Sequence, residues 1–412
     1  MKLLIVSQYF WPEDFYLNDV VARLANRGVN VDVLTGKPNY PEGKVFKGYR
    51  NWGCQTQIWE GAHVFRIPLL PRGNNSRLRL ALNYLSFVLS GLIFGPWVLR
   101  GRQYDMIFVY GVSPILQAIP AIILGRFKSC KITIWIQDLW PDSLIATGHI
   151  HNPLILRAVE WAVRWIYRRA DLLLVQSQAF IPAVSRLASK TRVAYQPNSV
   201  DSIFAAPVVT SAKLPDIPAL DSGFAVVFAG NIGSAQAVEV IVAAAAQLVD
   251  YTEIRLVVIG QGSRLDWMRK EIKVRGLKNL HLPGRFPVAT MPGLLQKAGA
   301  LLVTLADEPT FALTVPNKIQ AYMAVGRPII ACLNGEGARL VDMARAGISV
   351  PAEDSGGLAT AILELYRMPE IQRQAMGVAA QRFFLEHFEH KMLVDNLIEH
   401  FKRSVLRSGG SK

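Results

Sequence analysis

Short apolar runs alternate with segments of helical periodicity through the first half of the chain. The run Leu3–Ser7 is followed by Phe15–Arg27, whose apolar positions recur at helical spacing. Apolar strands that alternate with helices are typical of a parallel sheet covered on both faces. Further runs that predict strands in this half are Val29–Leu34, Asp105–Tyr110, Lys131–Ile136, Ala170–Val175 and Arg192–Tyr195.

The same alternation begins again after residues 205–223, a segment with three prolines and no periodicity that indicates a linker. A chain of 412 residues is also too long for one ordinary core. We therefore predict an α/β protein with two doubly wound, parallel-sheet domains and a cleft between them, followed by a helical segment at about 370–405. The predicted strands of the second domain are Phe224–Ala229, Ile254–Ile259, Asn279–Leu282, Ala300–Leu305 and Arg327–Ala331.

Glycines and cations follow the strands of the second domain. Ligands of such sheets bind beyond the carboxyl ends of the strands, and glycine loops and helix N-termini let backbone N–H groups approach an anion. Together these loops predict a cradle large enough for a nucleotide diphosphate. The residues that we expect to bind it are Gly230, Asn231, Ile232, Gly233, Gln236, Gly260, Gly262, Arg264, Arg285, Phe286, Pro316 and Asn317.

The segment VPNKIQAYMAVGRPII, residues 315–330, predicts a helix that opens after the strand Ala300–Leu305. Pro316 suits the first helical position, and Gly326 before Pro328 is a stop signal. Lys318 then lies in the first turn, where a cation is unfavourable unless an anion is bound as well. Lys318 is therefore the predicted catalytic cation of the cradle.

Carboxylates follow two strands of the first domain. Asp138 comes directly after Lys131–Ile136 and is the predicted general base, whereas Asp142 either contacts the acceptor or only caps its turn. Glu13 either contacts a substrate hydroxyl or belongs to a solvated loop. Glu13 and Asp142 are therefore candidate substrate-binding residues.

The stretch Leu80–Leu99 is almost long enough to span a bilayer, which takes about 20 residues. Spanning would place the first two strands of one sheet on the other side of the membrane. A helix that dips into one leaflet and an ordinary core helix remain as alternatives.

Residues 1–205 carry 23 Lys/Arg and 12 Asp/Glu, a net charge of +11. Nucleic acid and an anionic membrane surface are both possible partners of such a charge, and the apolar neighbours favour the membrane.

Metal-binding and other common catalytic motifs are absent from the sequence. There is no D-x-D pair, no H-x-x-x-H, no G-x-S-x-G and no Walker lysine motif. We therefore expect no metal cofactor, with Lys318, Arg285 and helix termini neutralising a bound anion.

Several motifs together resemble the retaining glycosyltransferases of family 4, which have the two-domain GT-B fold. The motifs are SQYFWPED (7–14), PNYPEGKVFKGYR (38–50), WIQDLWPDSL (135–144), YQPNSVD (195–201), FAGNIGSAQ (228–236), VIGQGS (258–263) and VPNKIQAYMAVGRPI (315–329). The branch is similar to the L-fucosamine (N-acetyl-L-fucosamine) transferases of bacterial O-antigen and capsule synthesis. A nucleotide-sugar epimerase and a non-catalytic protein that binds lipid-linked sugars are the rival functions to a sugar transferase.

The resemblance implies a UDP-sugar donor in the C-terminal domain, residues 206–384. It implies a saccharide on undecaprenyl diphosphate as acceptor in the N-terminal domain, residues 1–205 with the final helix from about 385. The acceptor-binding residues that follow from it are Glu13, Tyr40, Gln137 and Asp142. It also implies a place at the cytoplasmic face of the bacterial inner membrane, through about Leu80–Leu99, and no nucleic-acid partner.

Five positions depart from the family pattern. Gln137 stands where many members have histidine, and Leu313 and Ala321 stand where an E-x₇-E pair is usual. The Arg and Lys that usually follow the first strand of the C-terminal domain are replaced by Asn231 and Gln236. Recognition of the ribose by a glutamate therefore does not carry over.

Overall fold

The computed structural model describes residues 1–73, 77–146, 152–200, 202–205 and 214–406. The chain divides into two compact units, Met1–Pro197 with Lys391–Lys412 and Asn198–His390. The boundaries between the units therefore lie at 197/198 and 390/391, whereas the predicted domain boundaries were at 205/206 and about 385. Residues 206–213 of the predicted linker lie outside the described residues, and Pro218–Asp221 form a helical turn.

The first unit contains an eight-stranded sheet in the order β3-β4-β2-β1-β5-β6-β7-β8. All neighbouring strands are parallel except β3 and β4, which form an antiparallel hairpin at one edge. The strands are β1 Lys2–Val6, β2 Asn30–Thr35, β3 Gln55–Trp59, β4 Ala62–Arg66, β5 Met106–Gly111, β6 Lys131–Ile136, β7 Leu172–Val175 and β8 Arg192–Tyr195.

Helices cover both faces of this sheet. The last helix of the chain buries Val394, Leu397 and Phe401 in the core formed by β1, β2 and β5. The helices that precede the last helix in this unit are α1 Tyr16–Asn26, α2 Arg77–Val98, α3 Ala118–Lys128, α4 Asp142–Ala146, α5 Pro153–Tyr167 and α6 Phe180–Ala188.

The second unit contains a six-stranded parallel sheet in the order β11-β10-β9-β12-β13-β14. Its strands are β9 Phe224–Asn231, β10 Ile254–Gln261, β11 Leu280–Gly284, β12 Ala300–Thr304, β13 Ile329–Cys332 and β14 Gly347–Val350. The remaining helices are α7 Ser202–Ala205, α8 Pro218–Asp221, α9 Glu239–Gln247, α10 Leu265–Arg275, α11 Met291–Gln296, α12 Pro309–Leu313, α13 Asn317–Val325, α14 Glu336–Met343, α15 Ser355–Arg367, α16 Glu370–His387 and α17 His390–Leu406.

Each sheet has one point at which the strand order reverses. In the first unit β1 lies between β2 and β5, and in the second unit β9 lies between β10 and β12. The loops beyond the carboxyl ends of these strands diverge and leave a crevice, which is where doubly wound sheets bind ligands. The strand order therefore selects one loop region in each unit as the place to look for chemistry.

Candidate functional site

The reversal point of the second unit brings Lys318 of α13 against the end of β9. A Cβ atom on Gly230 would lie 2.7 Å from Cε of Lys318, and the Lys318 Nζ atom lies 3.7 Å from the centre of the Phe228 ring. Gly230 has φ +135°, a value that side chains other than glycine rarely adopt. The missing side chain at Gly230 therefore makes room for the lysine.

Tyr322 fixes α13 in this position. Its hydroxyl accepts a hydrogen bond from the Ala229 N–H at 2.9 Å and lies 3.4 Å from the Ala229 carbonyl oxygen. Tyr322 lies one turn beyond Lys318, so the two side chains share a face of the helix. The hydrogen bond thus anchors the helix beside the last residues of β9.

Lys318 is a cation without a counter-ion. It is half-buried, and no carboxylate of the described chain forms an ion pair with it. Burial lowers the pKa of its ammonium group to about 7. The first turn of α13 also has no side-chain cap, because Pro316 is the capping residue rather than the first helical residue that we predicted. A cation and uncapped N–H groups at one helix end form a binding site for an anion.

The glycine loops pack against each other in this structure. A Cβ atom on Gly260 would lie 1.8 Å from the Gly230 oxygen, so this glycine permits close packing of the two loops. The N–H groups of Ile232 and Gly233 already donate, to the Gln261 carbonyl and to the Gln236 side chain. These two amides are therefore not available for a diphosphate in this structure.

Further contacts occupy other members of the predicted cradle. Gly262 packs against Ile232, and the Asn231 side chain donates to Gln236. The guanidinium of Arg264 forms an ion pair with Glu239 and lies 4.6 Å from the centre of the Trp267 ring. Its charge is thus already balanced.

Three predicted residues lie further along the same sheet edge or helix. Arg285 is exposed just beyond β11, and Phe286 packs partly into the core. Asn317 is exposed, and its side-chain oxygen lies 3.5 Å from the Asn198 side-chain nitrogen. Lys318 therefore remains the member of the predicted set that is both positioned by the fold and uncompensated in charge.

In the first unit, Asp138 lies beside the reversal point. Its Oδ2 atom accepts hydrogen bonds from the N–H and the hydroxyl of Ser113, at 3.1 and 2.9 Å. Trp140 in turn donates to the Ser113 hydroxyl at 3.0 Å. Burial raises the pKa of Asp138, and the two hydrogen bonds from Ser113 lower it. A half-buried carboxylate held by one polar side chain suits a general base.

Glu13 is buried, so its interpretation as a residue of a solvated loop is wrong. It is 2% exposed, and its Oε1 atom accepts from the N–H groups of Asn39 and Tyr40, both at 2.7 Å. Its Oε2 atom accepts from the Phe10 N–H at 3.1 Å. The carboxylate therefore joins two loops, and its contact with a substrate hydroxyl stays a prediction.

The other predicted acceptor residues lie in separate settings. Gln137 is buried, and its backbone N–H donates to the Gly111 carbonyl, which extends the pairing of β5 with β6 by one residue. Asp142 begins α4 and lines a cavity of about 50 Å³ together with Glu160 and Arg186. The Tyr40 ring packs against the rings of Tyr9 and Phe15 and under the guanidinium of Arg72.

Sequence reasoning missed several residues around Asp138. Ser113 holds the carboxylate, and Tyr84 lies on α2 within electrostatic range of both Asp138 and Arg72. These residues come from four separate parts of the chain, and no local pattern links them.

Comparison with known proteins identifies the class that this fold and site define. Residues 15–199 match the family model described as Glycosyl transferase 4-like domain, and residues 223–368 match the model described as Glycosyl transferases group 1. The chain is a glycosyltransferase with the GT-B fold, and the predicted fold class is confirmed.

Two curated relatives are each 27% identical to the chain. One is the putative colanic acid biosynthesis glycosyl transferase WcaI of Escherichia coli K12, matched over 79% of this chain and 82% of the relative. The other is the probable glycosyltransferase WbjE of Pseudomonas aeruginosa, matched over 72% and 74%.

Solved structures confirm the fold. Sucrose-phosphate synthase from Thermosynechococcus elongatus superposes with a TM-score of 0.74 at 16% identity, over 98% of both chains. HepE of Anabaena, solved in complex with UDP, gives a TM-score of 0.67 at 16% identity, over 98% of this chain and all of the other.

Proposed function

We propose that the protein transfers a sugar from a UDP-sugar to a saccharide linked to undecaprenyl diphosphate, with retention of the anomeric configuration. N-acetyl-L-fucosamine or a related amino or deoxy sugar is the proposed donor sugar, and O-antigen, capsule or exopolysaccharide is the proposed product. The proposal includes no metal cofactor. The observation that carries it is Lys318, an uncompensated cation at the reversal point of the second sheet.

In the proposed mechanism, charge grows on the leaving diphosphate as the bond to the sugar breaks. Lys318 and the uncapped N-terminus of α13 stabilise that charge, and removal of one such preorganised donor typically costs about 3–4 kcal/mol of activation free energy. Exposed Arg285 beyond β11 adds positive potential along the same edge. The choice of UDP is supported by HepE, whose solved complex contains UDP.

Asp138 is the proposed base that orients or deprotonates the acceptor hydroxyl. The hydrogen bonds from Ser113 occupy Oδ2, which leaves Oδ1 for the acceptor. Burial raises the pKa of this carboxyl, and a stronger base accepts a proton more readily.

Helix α2 supports a location at the membrane surface. It is long and apolar enough to cross a membrane by length and composition alone, with a mean hydropathy of 1.5 over a window that is one-third buried. One face is buried through Asn83, Phe87 and Val88. The opposite face exposes an apolar stripe at helical spacing: Leu78, Leu82, Leu85, Leu89, Ile93 and Trp97.

Because one face of α2 is buried in the protein and the other is exposed, the helix suits a position in the membrane interface better than a position across the bilayer. A helix with one protein-facing side and one exposed apolar stripe inserts its stripe between lipid headgroups. The arginines near both helix ends, Arg79 and Arg100, favour an anionic surface. We therefore propose peripheral attachment to the cytoplasmic face of the inner membrane through α2.

The direct test is a transfer assay. The purified protein is incubated with a panel of UDP-sugars and a synthetic polyprenyl-diphosphate-linked sugar, and products are read by mass spectrometry. One glycosylated lipid product, with its anomeric configuration retained by NMR, supports the proposal. An isomerised sugar from donor alone would indicate an epimerase, and binding of both substrates without any product would indicate a non-catalytic binding protein.

A further inference from the structure

Arg72 is a cation to which neither the sequence motifs nor the proposed reaction assigns a function. Its N–H donates to the Asn39 side chain at 2.9 Å, which fixes the backbone of this loop. Its guanidinium lies 5.3 Å from the centre of the Tyr40 ring, and that ring packs against the Tyr9 ring with the two centroids 5.7 Å apart. The arginine is therefore held by residues 39 and 40, which in turn pack against the loop after β1.

The same cluster reaches Asp138 through Tyr84 of α2. The Tyr9 hydroxyl donates to the side chain of Asn83, the residue before Tyr84 on α2, at 3.3 Å. Burial raises the pKa of Tyr84, Arg72 lowers it, and Asp138 raises it, so both charges lie close to this phenol. Arg72 and the proposed base thus belong to one polar cluster, with phenol groups between them.

No carboxylate within the described ranges forms an ion pair with Arg72. Other arginines of the same unit do have such partners, as Arg102 does in Asp32 at 2.8 Å. Arg72 is only partly exposed, and a partly buried charge without a counter-ion costs free energy unless a ligand supplies the opposite charge. A guanidinium presents a planar set of donors that matches the oxygens of a phosphate.

The loop of Arg72 also touches the beginning of α2. A Cβ atom on Gly73 would lie 2.6 Å from Cδ of Arg79, in the first turn of that helix. The exposed apolar stripe of α2 begins in the same turn, at Leu78, and continues to Leu82. The loop that carries Arg72 thus lies next to the beginning of the exposed apolar stripe of α2.

We propose that Arg72 binds the diphosphate of a lipid-linked acceptor, between the sugar at Asp138 and the isoprenoid chain at the start of the α2 stripe. A lipid diphosphate has this order of parts: a sugar, two phosphates and an apolar chain. The inference rests on the proposed function for the identity of the acceptor. It adds a subsite that is separate from the nucleotide diphosphate at Lys318.

The test is the binding of farnesyl diphosphate to the full-length protein in detergent micelles, measured by calorimetry. We expect Arg72→Gln to weaken this binding roughly 10- to 100-fold, the usual effect of losing a hydrogen bond to a charged group. Arg72→Lys keeps the charge and loses the planar set of donors, so an intermediate affinity is expected. Equal affinity of wild type and Arg72→Gln would overturn the proposal.

Two controls separate this subsite from other sources of diphosphate binding. Arg157→Gln removes an exposed arginine of α5 and is expected to change farnesyl diphosphate affinity less than about twofold. UDP affinity should be unchanged in Arg72→Gln. A parallel loss of UDP binding would show that Arg72 serves the nucleotide instead, and an equal loss in Arg157→Gln would show only nonspecific attraction.

A second measurement in the wild-type protein does not depend on the folding of a variant. Phenylglyoxal modifies accessible arginines, and mass spectrometry reports the modification at Arg72. Farnesyl diphosphate is expected to protect Arg72, whereas farnesol and UDP are not. Protection by farnesyl diphosphate without any sugar transfer would retain the subsite and overturn the proposed function. Sugar transfer without such protection would overturn the subsite alone.

Discussion

Gly230 and Lys318 occupy one small space: a Cβ atom on Gly230 would lie 2.7 Å from Cε of Lys318. Any side chain at position 230 must therefore displace the lysine or the end of β9. This contact links a glycine that looks like part of a phosphate loop to the cation on the neighbouring helix.

The first prediction concerns this contact. Gly230→Ala is expected to weaken UDP binding at least about tenfold, because it moves Lys318 away from its position beside Phe228. The double variant Gly230→Ala/Lys318→Met should bind UDP no more weakly than Lys318→Met alone, as measured by calorimetry. Additive losses would show that Gly230 acts independently of the lysine.

The second prediction concerns pH. Burial lowers the pKa of Lys318 to about 7, so the free protein carries a largely neutral amine above that pH. A bound diphosphate favours the ammonium form and raises this pKa again. UDP binding at pH 8 should therefore take up as much as about one proton, and UDP affinity should fall as the pH rises above 7.

Calorimetry in two buffers with different ionisation enthalpies measures the proton uptake. Lys318→Arg provides the control, because a guanidinium stays charged throughout this range. The interpretation fails if wild type takes up no proton, or if Lys318→Arg takes up as much.

The third prediction concerns Asp138 and Ser113. Asp138→Asn should abolish transfer and leave UDP affinity unchanged. Ser113→Ala removes one hydrogen bond that lowers the pKa of Asp138, so the rising limb of kcat/KM against pH should move to higher pH. An unmoved limb, or transfer by Asp138→Asn within a few-fold of wild type, would remove Asp138 from the role of base.

The fourth prediction concerns the exposed stripe of α2. Replacing Leu85, Leu89 and Ile93 together by serine should reduce binding to anionic vesicles at least about tenfold while the protein stays folded. Cosedimentation with vesicles measures the binding, and circular dichroism the fold.

Helix α16 offers a matched control, since Ile371, Val378 and Leu385 are exposed to a similar extent. Serine at these three positions should leave vesicle binding unchanged. Phe87 is fully buried on the inner face of α2, so Phe87→Ser is expected to unfold the protein. Equal vesicle binding by the α2 variant and wild type would contradict attachment through this stripe.

The fifth prediction concerns the hydrogen bond that anchors α13. Tyr322→Phe leaves the buried Ala229 N–H without its acceptor and should cost about 1–3 kcal/mol of unfolding free energy, measured with urea. Tyr251→Phe is the control, because the hydrogen bond that the Tyr251 hydroxyl accepts from Arg367, at 3.3 Å, is exposed to solvent. A loss no larger than that of the control would show that this hydrogen bond does not hold the helix.

The parallel strands could be predicted because they are buried on both faces and therefore read as apolar runs. Lys131–Ile136 and Arg192–Tyr195 were predicted with their observed bounds. The β3–β4 hairpin was missed because β3 alternates half-buried and exposed side chains and contains three polar residues. Its turn, Glu60-Gly61, has positive φ at both residues, as two-residue hairpins require.

The site was less predictable than the fold, since glycine loops and arginines have several uses. Gly260 is explained by loop packing, and Arg264 is balanced by Glu239, which a sequence pattern does not show. Lys318 was predictable, because its unfavourable place at a helix N-terminus is visible in the sequence. Arg72 was not, because its contacts are with residues far away along the chain.

The most direct measurement is the dissociation constant of UDP for wild type and for Lys318→Met, in which an apolar chain of similar length replaces the cation. Loss of a hydrogen bond between charged groups typically costs about 1.5–3 kcal/mol, so we expect an affinity reduced roughly 10- to 100-fold. A value within a few-fold of wild type would contradict the assignment of Lys318 as the cation that binds the nucleotide diphosphate.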